Sequence, residues 1–254
     1  MVPREVRGMK PIPIYIGWDD KETVAYHTLA HSIIRRSSVP VSIIPLNRCN
    51  LHGDFWRPRG EHDSTDFSNS RFIVPYLQRY EGWAIFMDCD MLCLGDITEL
   101  WAQRDDAYSV MVKKHHHIPK EDTKFLGQEQ SKYSRKNWSS LMLFNCSRCQ
   151  PLTRHIVNTM TPGLWFHQLR WTPDNEIGEI REGWNHLVGY DTPNPSADLP
   201  HFTSGGPWHG YTEVEFAQEW IDEYHHMIEG DNPVNWVKGA TDAASKYRQR
   251  ASGE

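Results

Sequence analysis

Three short apolar runs limit the folds open to this chain: "PIPIYIG" at 11–17, "VPVSIIPL" at 39–46 and "GWAIFMD" at 82–88. The first two read as short strands and the third as a buried one. Between the first two, Ala25, Leu29 and Ile33 recur at helical spacing inside the stretch from Lys21 to Arg36, and Arg35 and Arg36 suit the negative end of a helix dipole. Strand, helix, strand in that order predicts parallel strands joined by a crossover helix. The fold class is therefore α/β, with a Rossmann-type, mostly parallel central sheet flanked by helices.

The third run then does what a core strand seldom does. After Met87 it enters Asp88 and Asp90, and returns at once to Met91, Leu92, Cys93 and Leu94. Residues i and i+2 share one side of a strand, so the two carboxylates can converge where the strand ends. Carboxylates withdrawn from water need partners. Two kinds are open: backbone amides of a turn or helix that the carboxylates cap, or a bound cation, for which paired hard oxygens favour Mg²⁺ or Mn²⁺ over zinc.

A length of 254 residues with 39% hydrophobic and 24% charged residues suits one α/β domain. We expect a single catalytic domain over residues 1–236 and a flexible tail over 237–254, where the sequence is small and polar. A formal charge of −6 and a pI near 6.1 argue against a nucleic-acid coat protein, while leaving anionic small molecules open because a site is built locally. No apolar run reaches the roughly 18 residues of a membrane span, and "MVPREVRGMK" lacks the apolar region of a signal peptide. Five cysteines, an odd number, suggest reduced thiols. Together these predict a cytoplasmic location, free or peripheral to the inner membrane face. Eleven Trp include several beside Gly or Pro, whose faces could line a sugar or base site, the rest being packing residues.

Further along, the polar loop 47–69 precedes "SRFIVPYLQRY", a helix candidate with Pro75 in its early turns. "DAYSVMVK" and "SSLMLFNC" read as strands, and residues 151–160 and "VEFAQEWIDEYHHMI" as helices. Residues 163–207, rich in Trp, Pro, Gly and Asn, read as a long irregular region of the kind that carries binding residues. Cys146 and Cys149 have C-x-x-C spacing, but zinc needs four converging ligands. "KKHHHIPK" reads as a solvated loop. No G-x-S-x-G elbow is present, and "YIGWDDKE" lacks the glycine-rich phosphate loop of a nucleotidyltransferase.

Placed after an apolar strand, "FMDCDMLCLGDITELW" resembles the D-x-D segment of GT-A-fold glycosyltransferases, and further motifs from about Ile12 to Trp208 resemble, in order, family 8 of those enzymes. "YIGWDD" resembles the opening strand and loop that hold base and ribose, which implies Tyr15, Gly17, Asp19 and Tyr26 as nucleotide-sugar-binding residues. "SNSRFIVPYL" resembles a helix presenting an arginine to the phosphates, here Arg71, and "NWSSLMLFN" a strand lying under the donor sugar, here Ser139 and Ser140. "WTPDNEIGEIREGWN" is similar to a D-Q-D…W-N stretch, implying Asp174, Asn175 and Glu176 as catalytic residues near the anomeric carbon, with Asn175 standing for Gln and Trp184 with Asn185 for the W-N end.

In "HFTSGGPWH", the resemblance makes His201 a third metal ligand and brings Gly205 and Gly206 to the diphosphate. The family's lysine before P-W is absent, so its charge would fall to Arg71, Lys124 or Lys132. The resemblance implies a metal-dependent retaining enzyme, with Mn²⁺ or Mg²⁺ on Asp88, Asp90 and His201. It would move a hexose from a nucleoside diphosphate sugar of the UDP-glucose or UDP-galactose type to a glycan or other hydroxyl acceptor, in surface glycan synthesis. The alternatives are an acceptor of hydroxymethylated viral DNA, a nucleotide-sugar hydrolase, and a sugar-binding module with no need of a cation.

Overall fold

β1 (Ile12–Gly17) and β2 (Val41–Leu46) pair in parallel along their whole length, joined by α1 (Thr23–Arg36), on which Ala25, Leu29 and Ile33 are fully buried. This is the strand, helix, strand unit expected from the sequence. The computed structural model describes residues 10–60, 63–115, 134–161 and 163–230. The expected tail, and Lys124 and Lys132, lie outside the described residues.

The main sheet has six strands in the order β2-β1-β3-β5-β4-β6, with β3 at Trp83–Met87, β4 at Val110–Val112, β5 at Leu141–Asn145 and β6 at Ile177–Glu179. Three pairings are parallel; β5 alone runs antiparallel, to both its neighbours. That reversal gives the sheet two unlike ends. Met87, the last residue of β3, pairs with Leu141, the first of β5, whereas Trp83 pairs with Asn145. Val110 pairs with both Phe144 and Ile177, so the starts of β4 and β6 lie at the far end, away from Asp88.

The "SRFIVPYLQRY" segment divides into a 3₁₀ turn, Ser70–Ile73, and a short α2, Val74–Leu77, with Pro75 in its first turn. It stops there because Arg79, Tyr80 and Gly82 all take left-handed φ. α3 (Ile97–Trp101) starts at Asp96, whose carboxylate accepts the Thr98 N–H at 3.0 Å, and α4 (Arg154–Thr159) starts at Thr153 in the same manner. Of the three aspartates in "DCDMLCLGD", then, Asp96 is the helix cap, and neither Asp88 nor Asp90 caps a described helix.

Residues 163–207 correct the expectation of a long irregular region. They contain α5 (Leu164–His167), β6, and the strands β7 (Trp184–Leu187) and β8 (Leu199–His201), which pair in parallel as a small second sheet. Elements of three or four residues show no periodicity, so their pairing is decided by distant neighbours. A second apolar cluster, with Leu92, Phe202, Phe216 and Trp220, packs α6 (Ala217–Glu229) near β8. α6 also docks on α1 through buried Glu223, which meets His31 at 2.5 Å, Arg36 at 2.7 Å and Arg35 at 3.1 Å. No helix among the described residues is long and apolar enough to cross a membrane.

Candidate active site

β8 is stitched to the segment after β3 by backbone hydrogen bonds: Phe202 N to Asp90 O at 2.9 Å, Leu92 N to Pro200 O at 2.9 Å, and an antiparallel bridge between Met91 and His201. This ladder carries His201 to the two aspartates. One ligand atom each from Asp88, Asp90 and His201 lies within 4.8 Å of the others, as a single cation would require. Cys89 points the other way, into the core, as strand alternation demands, and burial pushes its thiol well up.

The imidazole is oriented for coordination. His201 Nδ1 lies 2.8 Å from Asn185 Oδ1, which can only accept, so Nδ1 carries the hydrogen and Nε2 faces Asp90 Oδ1 at 3.2 Å. Asn185 is fixed by its own donors: its amide reaches Ser140 Oγ at 2.9 Å and Asn137 O at 3.3 Å. It sits at φ 64°, a left-handed conformation that Asn tolerates better than most residues. A lone pair aimed at a carboxylate is repulsive unless a cation stands between them. In the metal-free protein that cation is a proton: burial pushes the His201 pKa down, but Asp90 and Asp88 outweigh it and the net shift is upward. Two hard carboxylates and an imidazole nitrogen so presented fit Mn²⁺ or Mg²⁺.

Arg71 anchors the other side. Its guanidinium lies between the Phe67 and Phe86 rings, 5.2 and 5.0 Å from their centroids, with Nη1 2.7 Å from Asp88 Oδ1 and donating to Ser139 O at 2.8 Å. Arg71 thus reaches the cavity with its charge shared with Asp88. Asp19 also lines the cavity, its oxygens accepting the backbone N–H groups of Lys21 and Asp66 at 3.0 Å each. Gly205 lines it as well.

Glu22 and Lys21 line the cavity too, and no local feature of the sequence marks either for a role. Glu22 accepts the indole N–H of Trp208 and meets His209 Nε2 at 3.1 Å. Burial, with Asp90 and Asp19 nearby, pushes its carboxyl up to about 8. Its charged form is disfavoured first by burial and then by the two aspartates, and a divalent ion would relieve the second of these.

Several expected site residues stand behind the cavity. Tyr15 is buried in the sheet and accepts from Gln78 at 2.8 Å. Tyr26 packs edge-on against Trp18, 4.9 Å between centroids. Gly17 is small because Phe67 lies over it; a Cβ there would fall 2.3 Å from that ring. Ser139 and Ser140 act through their carbonyls, toward Arg71 and the Asp88 N–H, while Ser139 Oγ contacts His167 Nδ1 at 2.8 Å. Gly206 is buried under Trp208.

Asp174, Asn175 and Glu176 are placed apart from this cavity. Glu176 is held by Ser109 and Arg148 at the start of β4, Asp174 is solvent-facing against Arg135 at 2.7 Å, and Asn175 is exposed. Because β6 pairs in parallel with β4, the residues before Ile177 fall at the end of the sheet away from Asp88, about 15 Å off for a five-residue strand. His167 is the residue of this part of the chain that touches the wall behind Arg71. No described Trp lines this cavity. The four buried cysteines, with burial raising every thiol, are packing residues rather than redox or zinc ligands.

No protein-family model matches the chain. Protein CDI of Arabidopsis thaliana is 44% identical over 224 residues, spanning 84% of this chain and 86% of that protein. Among solved structures, the apo form of the bifunctional glycosyltransferase WbbM superimposes with a TM-score of 0.59 at 15% identity, over 86% of this chain and 50% of that one. The galactosyltransferase LgtC, in complex with donor and acceptor sugar analogs, gives 0.56 at 11%, over 89% and 99%. GlyE of Streptococcus pneumoniae gives 0.55 at 13%, over 84% and 60%. The chain thus has the GT-A glycosyltransferase fold, in a length close to that of LgtC and about half that of WbbM.

Proposed function

The chain belongs to the same family as Protein CDI of Arabidopsis thaliana, and from its fold and the geometry of the cavity we propose that it is a glycosyltransferase using a nucleoside diphosphate sugar and a divalent ion. The observation that carries this reading is the convergence of Asp88, Asp90 and His201 on one point at the end of β3, in a cavity that also holds Arg71. When bound, the ion would supply positive charge to a departing diphosphate. The chain's own part is to hold and orient. Asn185 fixes the His201 tautomer, Arg71 fixes Asp88, and the flexible backbone at Gly205, φ 101°, lets that loop approach an anionic ligand.

We take the donor as UDP-glucose or UDP-galactose and the ion as Mn²⁺, with transfer to a hydroxyl on a glycan and retention at the anomeric carbon. The resemblance of the D-x-D and "HFTSGGPWH" motifs to family 8 supports this finer reading. With the Asp174 to Glu176 trio away from the cavity, the reading assigns no protein nucleophile. A hydroxyl of the acceptor would then attack on the face of the leaving diphosphate, whose oxygen takes its proton.

The test is release of UDP from UDP-glucose and UDP-galactose with a panel of sugar acceptors, with Mn²⁺ or with chelator. Acceptor-dependent, metal-dependent release that is lost in Asp90→Asn is the expected result. Equal release without acceptor would make the protein a hydrolase, and full activity in chelator would remove the metal from the reading.

A further inference from the structure

Four carboxylates line the cavity, those of Asp19, Glu22, Asp88 and Asp90, against three cationic side chains, those of Lys21, Arg71 and His201. Two of the cations are committed. Arg71 is tied to Asp88 and the Ser139 carbonyl, and His201 to Asp90 and Asn185. Lys21, exposed at the rim, has an ammonium with no hydrogen bond or ion pair to any described residue.

The loop after β8 has no room for a cation at position 206. A Cβ on Gly206 would lie 2.1 Å from the Trp208 ring. That ring is held in place from both sides: its N–H reaches Glu22, and its face meets Trp220 at 5.2 Å. His209 grips the other oxygen of Glu22. The same two contacts turn the Glu22 carboxylate toward the loop, so it is engaged there and does not pair with the neighbouring Lys21.

We infer that Lys21 binds the β-phosphate of the nucleoside diphosphate, supplying from the start of α1 the charge that the Gly205–His209 loop cannot carry. The inference rests on the nucleotide-sugar reading of this cavity. An ammonium on a four-carbon stem suits the task, acting on phosphate as a mobile point charge. Lys21 is then a specificity residue: it separates nucleoside diphosphates from monophosphates, and the binding of a nucleoside with one phosphate does not depend on it.

Calorimetric titration of UDP and of UMP, each with Mn²⁺, into wild type, Lys21→Met and Lys21→Arg tests this, with the ligand-free melting temperature as the check on folding. Lys21→Met should lose about tenfold in UDP affinity and none in UMP affinity, and Lys21→Arg should recover most of the loss. If Lys21→Met binds UDP as wild type does, or loses UDP and UMP alike, the inference is overturned while the reading of the cavity stands. If wild type binds neither UDP, GDP nor CDP with Mn²⁺, the reading of the cavity falls and Lys21 falls with it.

Discussion

Glu223, on α6, and Asp90, after β3, are both carboxylates drawn into the protein, and their surroundings differ in kind. Glu223 is fully buried and answered by Arg35, Arg36 and His31, all from one helix. Asp90 has one oxygen shut from solvent and answered by a single group, the His201 imidazole 3.2 Å away, which is a partner only while it holds a proton on Nε2. The first cluster is closed by the chain itself and needs nothing more; the second is complete only when a cation arrives. A buried acid is therefore no sign of function until its partners have been counted.

The largest expected break in this comparison is chemical. Asp90→Asn should lower metal-dependent sugar transfer by about a thousandfold, read as initial rates at saturating Mn²⁺. The ligand-free melting temperature should change little, because the ion pair lost with His201 is offset by one fewer carboxylate held away from water. The matching change in the closed cluster should do the reverse. Glu223→Ala strands two arginines against α6 and should cost about 2–3 kcal/mol, discounted because both arginines are partly exposed. That corresponds to a melting shift of about 5–10 °C, with the specific activity of the folded protein unchanged. A Glu223 variant that melts normally but has lost activity would erase the distinction.

Next in size is the support behind the open cluster. Asn185→Ala removes the acceptor that fixes His201, and Mn²⁺ affinity should weaken by about 10- to 100-fold, measured by titration against melting temperature. The smallest effect is the response to pH. The His201 pKa is raised in the metal-free fold, so its contribution to stability is complete below the unfolded value and is lost as pH rises through the folded one. Mn²⁺ must displace that proton, so the melting rise it gives should be larger at about pH 8 than at about pH 6. Glu223 has the opposite sign. Burial pushes its pKa up, but Arg36 and His31 win and lower it, so its contribution is present at neutral pH and fades only as acid approaches the folded pKa. A Mn²⁺ effect that shrank on going to pH 8 would separate His201 from the ion.

What the sequence showed best were features set by one short stretch. Ala25, Leu29 and Ile33 marked the buried face of α1, and the i, i+2 spacing of Asp88 and Asp90 marked a convergent pair. His201 came only through resemblance to a family, because nothing local announces that β8 will lie beside Met91. The placement of Asp174 to Glu176 has the same root. Their motif was legible but their height along the sheet was not, since that depends on β6 choosing a parallel pairing with β4. Glu22 was beyond local reading because it acts through Trp208, 186 residues on, and Asn185 was marked only as the end of a motif because its partner His201 lies on another strand, 16 residues later. Gly206 shows how a missing residue can be explained only by a neighbour's bulk.

The bridge between Met91 and His201 has a dynamic consequence. Its two strands are roughly a hundred residues apart along the chain, so an ion held by Asp88, Asp90 and His201 fastens a very long loop at its neck. Amide hydrogens on that neck, Leu92 N–H and Phe202 N–H, are bonded across it to Pro200 and Asp90. Their exchange with solvent deuterium should slow when Mn²⁺ is added, while amides of the β1–β2 pair keep their rates. The metal would then act as a clasp that sets how often β8 parts from the segment after β3 while the main sheet stays paired.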